Sequence, residues 1–164
     1  MEINPQETIY LFTDGSVNPQ EKIGFGAYLL INKNEFTSNT LQEKIKLKKF
    51  EDTSSTKLEL QTLLWALSEI NDISAKFIVY TDCQNILTLN NRRKRFEEND
   101  YYSKTNKCIN NHLLYKEFFI LQDKYSCEFI KVKGHKQKSQ KDEVDKIFTL
   151  VDKSSRNALR EYFS

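Results

Sequence analysis

The chain has 164 residues, 38% hydrophobic and 29% charged, which suits one soluble domain with one core. No run approaches the roughly 20 apolar residues of a membrane span, and a formal net charge of +2 is too small to argue for nucleic acid by itself. Cys83, Cys108 and Cys127 lack CxxC spacing, which excludes a disulfide framework or cysteine zinc site, and the polar Met1–Glu7 stretch lacks a signal-peptide core. A reducing, cytoplasmic setting without membrane attachment is expected.

In chain order, Ile9-Tyr10-Leu11-Phe12 is short, β-prone and ends at Thr13-Asp14-Gly15-Ser16, which predicts a buried strand. After a turn at Asn18-Pro19, residues 23–31 read as a second strand, where Gly24 and Gly26 mark a bulge or a close backbone approach. Residues 35–48 read less clearly as a third strand, completing an antiparallel meander. Ser54-Ser55-Thr56 supplies N-cap candidates for a helix to about Ile70, with Leu60, Leu63, Leu64 and Leu67 at i, i+3, i+4 and i+7.

Phe77-Ile78-Val79-Tyr80 predicts a fourth strand ending at Thr81-Asp82, and a helix begins near Cys83. Residues 90–106 are polar and charged and read as an exposed excursion. A helix over 113–125, a fifth strand over 127–132, a polar loop and a C-terminal helix to about Tyr162 complete the chain. With no linker or repeat, residues 1–164 read as a single α/β domain, a mixed sheet flanked by helices.

Leu11-Phe12-Thr13-Asp14 and Val79-Tyr80-Thr81-Asp82 each place an aspartate directly after a buried strand. In open α/β sheets, ligand sites gather beyond the carboxyl ends of parallel strands. If the two strands are parallel neighbours, Asp14 and Asp82 sit side by side there; otherwise each merely opens a turn or caps a helix. Glu59 favours the first reading. Leu63, Ala66 and Ile70 lie at i+4, i+7 and i+11 from it, so it sits on an apolar stripe without lysine or arginine. An unpartnered carboxylate there costs several kcal/mol. A divalent cation resolves the repulsion of three converging carboxylates, and oxygen-only ligands point to Mg²⁺ or Mn²⁺.

Thr13-Asp14-Gly15-Ser16, Leu58-Glu59-Leu60, Thr81-Asp82-Cys83-Gln84 and Val132-Lys133-Gly134-His135, in that order, resemble the signature of type 1 ribonucleases H. The resemblance implies the ribonuclease H-like fold, with a five-stranded mixed sheet. It also implies metal-dependent endonucleolytic cleavage of the RNA strand of an RNA–DNA hybrid, by a monomer. Asp14, Glu59 and Asp82 would bind two Mg²⁺ ions (or Mn²⁺) with a fourth aspartate from the last helix, and His135 would assist proton transfer or product release. Asp145 has the usual spacing from His135. Asp152, however, is followed by Ser155, Arg156 and Ala158, resembling the family's small residue, arginine and alanine at +3, +4 and +6. The two aspartates are seven apart, about 10 Å along one helix, so both cannot reach the same metal pair. Asp152 is favoured, with Asp145 left as a solvent-facing residue or helix cap.

For substrate, the resemblance implies that Gly15, Ser16, Asn18, Ser55, Thr56 and Gln84 touch the minor groove and the 2′-hydroxyls that distinguish RNA from DNA. Ser55 and Thr56 stand where the family often has asparagines, and Cys83 replaces a common serine. Arg92-Arg93-Lys94-Arg95 and the lysines Lys131, Lys133, Lys136, Lys138 and Lys141 suit phosphate tracking beside the carboxylates. Arg92 and Arg93 are the expected contacts, in a segment where related enzymes have a basic protrusion. The competing readings are another nuclease of this fold and an inactive nucleic-acid binder. The presence of every expected acidic residue argues against the latter.

Overall fold

The computed structural model describes residues 7–132 and 142–164. Its five strands are β1 (Thr8–Asn18), β2 (Ile23–Ile31), β3 (Lys46–Glu51), β4 (Lys76–Thr81) and β5 (Ser126–Lys131), in one sheet of order β3-β2-β1-β4-β5. The first three pair antiparallel, as the meander reading expected; β4 runs parallel to β1, and β5 parallel to β4. The helices are α1 (Leu41–Lys44), α2 (Ser55–Ser68), α3 (Gln84–Leu87), α4 (Leu89–Glu98), α5 (His112–Lys124) and α6 (Glu143–Phe163).

Strand alternation divides the interior into two cores. Leu11, Phe77 and Val79 pack with Leu60, Leu63 and Leu67 of α2 and Phe118 of α5. Phe12, Ala27, Leu29 and Ile31 face the other way, onto Ile147, Phe148 and Val151 of α6. Each fully buried leucine or phenylalanine contributes about 1.5–3 kcal/mol, so both faces of the sheet are pinned by their helices. At the far end of α2, Glu69 accepts hydrogen bonds from Tyr28 of β2, from Trp65 Nε1 (2.7 Å) and from Lys46 of β3 (3.1 Å).

The glycines of β2 mark a close approach. A Cβ on Gly26 would stand 2.2 Å from Thr62 Oγ1, and one on Gly24 would stand 2.6 Å from Leu58 Cδ2. Helix α2 therefore lies directly on the backbone of the hairpin. The β1–β2 register runs unbroken from Tyr10↔Ile31 to Asn18↔Ile23, so neither glycine forms a bulge.

Two segments differ from the sequence reading. The third strand begins at Lys46 rather than residue 35, because Asn32 and Glu35 form a capping box on a 3-10 turn, Lys33–Glu35. Phe36 and Leu41 are then buried in the α6-side core. The first half of the charged excursion is helical: Leu89 and Phe96, seven residues apart, bury one edge of α4 while its other side carries the charges.

Gly26→Ala tests the close approach. Thr62 is buried and its hydroxyl is held by the Leu58 carbonyl (2.8 Å), so it cannot yield without cost. Urea unfolding should show a loss of about 1–3 kcal/mol. A change under about 0.5 kcal/mol would be typical of an unconstrained surface position and would contradict this packing.

Candidate active site

The β1–β4 register pairs Phe12 with Tyr80, so Asp14 and Asp82, each two residues further on, lie level. β4 ends at Thr81 while β1 continues to Asn18, which leaves Asp82 at a strand end and Asp14 buried within β1. The parallel pairing thus places the two aspartates side by side. From the second turn of α2, Glu59 reaches over Gly15, where a Cβ would meet Leu58 Cδ2 at 2.9 Å. One carboxylate oxygen each from Asp14, Glu59 and Asp82 lie within 4.8 Å of one another.

Asp152, from the middle of α6, is the fourth acidic wall of the same cleft, which encloses about 320 Å³. Gly15, Ser55, Thr56 and Cys83 line the remainder. Burial, followed by the Glu59 charge and a shared hydrogen bond with Asp152, pushes the Asp14 carboxyl far above the ordinary carboxylate range. Burial and the Asp82 charge likewise raise Glu59, against the pull of hydrogen bonds with Asp14 and the Gly15 N–H. Glu59 Oε2 is buried without a hydrogen-bond partner. An orphaned oxygen amid four converging carboxylates fits a hard divalent cation, which supplies the missing positive charge.

Asp145 does not join this group. It is the N3 residue of α6, buried, and forms a reciprocal capping box with Asp142: its backbone N–H donates to Asp142 Oδ1 (2.9 Å), and the Asp142 N–H donates to Asp145 Oδ2 (3.2 Å). It borders a separate hollow with Tyr80, Lys131 and Val132. Two helical turns separate it from Asp152, about 10 Å. Of the two candidates for the fourth aspartate, the favoured Asp152 lines the cleft, and Asp145 takes the helix-cap alternative, buried rather than solvent-facing.

Other expected contacts divide in the same way. Ser55 and Thr56 border the cleft, with Ser54 as the N-cap of α2. Gln84 is exposed beside it and accepts a hydrogen bond from Lys131 Nζ (3.2 Å). Asn18 is not in the cleft wall; its Oδ1 accepts the N–H groups of Gln20 and Glu21 (both 3.1 Å) and shapes the hairpin turn. The Ser16 hydroxyl meets Ser155 Oγ of α6 at 3.0 Å.

Arg92 bonds the side chain and carbonyl of Asn85, and Arg93 forks onto Asp123 (2.6 and 2.7 Å) and reaches Glu97 (2.8 Å). Of the two, expected on the substrate, Arg93 is held by carboxylates of the protein itself, while Arg92 bonds Asn85 through one nitrogen and keeps Nε without a hydrogen-bond partner. Lys94 and Arg95 are the exposed cations of the run. His135, Lys133, Lys136, Lys138 and Lys141 lie outside the described residues. Sequence reasoning missed Ser155, a fully buried serine; its signal was a hydroxyl at a position read only for its small size.

Raised carboxyl pKa values fix the sign of a stability prediction. Unfolded, these groups titrate near pH 4; folded, they keep their protons to higher pH, so metal-free stability falls as pH rises from about 4 towards the raised values. A divalent cation displaces those protons, so the gain in Tm on adding Mn²⁺ should widen from pH 5 to pH 8. Asp14→Asn should stabilise the metal-free protein at pH 8 by about 1–3 kcal/mol, or roughly 2–4 °C per kcal/mol, and shrink the Mn²⁺ gain. Differential scanning calorimetry reads both; an unchanged or lower Tm in Asp14→Asn would contradict the site electrostatics.

Comparison with known proteins agrees with this geometry. The RNase H family model matches residues 6–151. Ribonucleases H from two strains of Clostridium botulinum are each 27% identical over 143 residues, covering 85% of this chain and 91% of theirs. Among solved structures, LC9-RNase H1, described as a type 1 RNase H with the type 2 active-site motif, superposes with a TM-score of 0.67 at 17% identity, covering 96% of this chain and 74% of that one. A foamy viral protease-reverse transcriptase in complex with dsDNA gives 0.61 at 13% identity, covering 87% and 91%. The matched family span contains the paired aspartates and Glu59, and Asp152 lies one residue beyond it. The chain belongs to the RNase H family.

Proposed function

We propose that this chain hydrolyses the RNA strand of RNA–DNA hybrids endonucleolytically, leaving 5′-phosphate and 3′-hydroxyl ends, with Asp14, Glu59, Asp82 and Asp152 holding two Mg²⁺ ions. Divalent-metal dependence and action on hybrids are properties of the family to which the chain belongs. The observation that carries the reading is the convergence of four carboxylates, one with an orphaned buried oxygen, beyond the end of β4. When bound, the ions supply activation of the attacking water and stabilisation of charge on the leaving oxygen.

The chain's own residues orient the substrate and set the charge. Buried Asp14, pressed by three acidic neighbours, is the central ligand. Ser55 and Thr56, exposed at the mouth of the cleft, present hydroxyls to the 2′-OH of the RNA strand. Their reach is shorter than that of asparagine, which favours contact with the sugar over the base edge. Gln84 keeps its amide nitrogen for the duplex while its oxygen holds Lys131. Lys94 and Arg95 on α4 and Lys104 on the following loop track phosphate. His135, on the resemblance of its motif, serves proton transfer or product release.

The same reading takes residues 1–164 as one catalytic domain, acting as a monomer in the cytoplasm. Its support is the single sheet covered on both faces and three free cysteines. No helix among the described residues is long and apolar enough to cross a membrane.

Cleavage of an end-labelled RNA–DNA hybrid in Mg²⁺, beside RNA duplex and DNA duplex controls, tests the activity. Internal cuts in the RNA strand of the hybrid alone are expected, and Asp14→Asn or Glu59→Gln should abolish them. Hybrid binding without cuts in either Mg²⁺ or Mn²⁺ would overturn the reading. The α4 assignment makes a separate prediction. Arg95→Gln and Lys94→Gln should each weaken hybrid binding and reduce its salt slope by about one, measured by fluorescence anisotropy in Ca²⁺. Arg93→Gln should instead lower Tm with little change in slope.

A further inference from the structure

Ser155 has no part in the ligand set described above, yet it is fully buried on α6, three residues after Asp152, where the resemblance asked only for a small side chain. Its hydroxyl donates to the Asp152 carbonyl oxygen at 2.9 Å. A hydroxyl has one proton, so the contact with Ser16 Oγ at 3.0 Å has Ser16 as the donor and Ser155 as the acceptor. The chain of bonds then runs from Ser16, through Ser155, to the backbone of Asp152. Ser16 is two residues beyond Asp14 on the same strand and, by strand alternation, on the same face.

We infer that the Ser16–Ser155 hydroxyl pair is a positioning device that fixes the depth of α6 against β1, and so sets the carboxylate of Asp152 relative to that of Asp14. The need for one follows from charge. Asp152 presses electrostatically on both Asp14 and Glu59. Apolar contacts from Ile147, Phe148 and Val151 hold the helix on the sheet but resist sliding weakly. The hydroxyl pair is directional and joins the two ligand-bearing elements at the level of the cleft. Arg156 Nη2 holds the outer oxygen of Asp152, Oδ2, at 2.6 Å. The carboxylate is thereby restrained through its own backbone and through its side chain.

This inference rests on the reading of Asp152 as a metal ligand, and the test separates the two. Mn²⁺ binding to the whole chain, measured by calorimetry without substrate, is the readout, with Tm and circular dichroism recorded for each variant. Ser155→Ala should weaken Mn²⁺ binding on the order of tenfold, Ser16→Ala similarly, and Ser155→Thr, which keeps the hydroxyl, should bind as the parent does. In an Asp152→Asn background, Ser155→Ala should add nothing further. Unchanged Mn²⁺ affinity in folded Ser155→Ala and Ser16→Ala, or an equal loss with and without Asp152, would overturn the positioning role. Full Mn²⁺ affinity in Asp152→Asn would overturn the ligand assignment itself, and the inference with it.

Discussion

The mutual repulsion of four carboxylates in one partly buried cleft is the constraint around which this protein is organised. Parallel pairing of β1 and β4 brings Asp14 and Asp82 level, and α2 adds Glu59 from above. None of the three is placed for stability. Burial and neighbouring charge raise the pKa of Asp14 and Glu59, and Glu59 retains a buried oxygen without a partner. Buried acidic groups of this kind destabilise a fold unless a cation is present. Local stability has been given up here for a site whose charge is completed from outside.

Much of the remaining architecture holds these groups at short range against that repulsion. Gly15, Gly24 and Gly26 let α2 rest on the hairpin backbone, so that Glu59 reaches the sheet. Two hydrophobic cores clamp the sheet between α2 and α6, and the second core ends at Val151, immediately before Asp152. The Ser16–Ser155 contact lies at the next step along both elements. The chain thus uses apolar burial for force and hydroxyl geometry for placement.

Three members of the acidic centre were legible in the sequence because each broke a local pattern. Asp14 and Asp82 each end a buried strand, and Glu59 interrupts an apolar helical stripe. The four-motif order named the family that the family model also matches. The extent of β3 was not legible, because Phe36 and Leu41, read as strand residues, turn into the α6-side core and a short helix, Leu41–Lys44, precedes the strand. The use of Arg92 and Arg93 was hidden for a different reason. Their partners include Asp123, thirty residues away on α5, and no local pattern reports such a pairing. Asp145 and Asp152 share a helix and a charge; the residues at +3, +4 and +6 favoured Asp152, and tertiary placement puts it in the cleft and Asp145 at the cap.

The most direct test of the central claim is the location of bound manganese. Crystals of the protein soaked in Mn²⁺, measured at the manganese absorption edge, would show its position by anomalous scattering. The account predicts density between Asp14, Glu59, Asp82 and Asp152. Manganese bound instead in the hollow beside Asp142 and Asp145, with none among those four carboxylates, would contradict it.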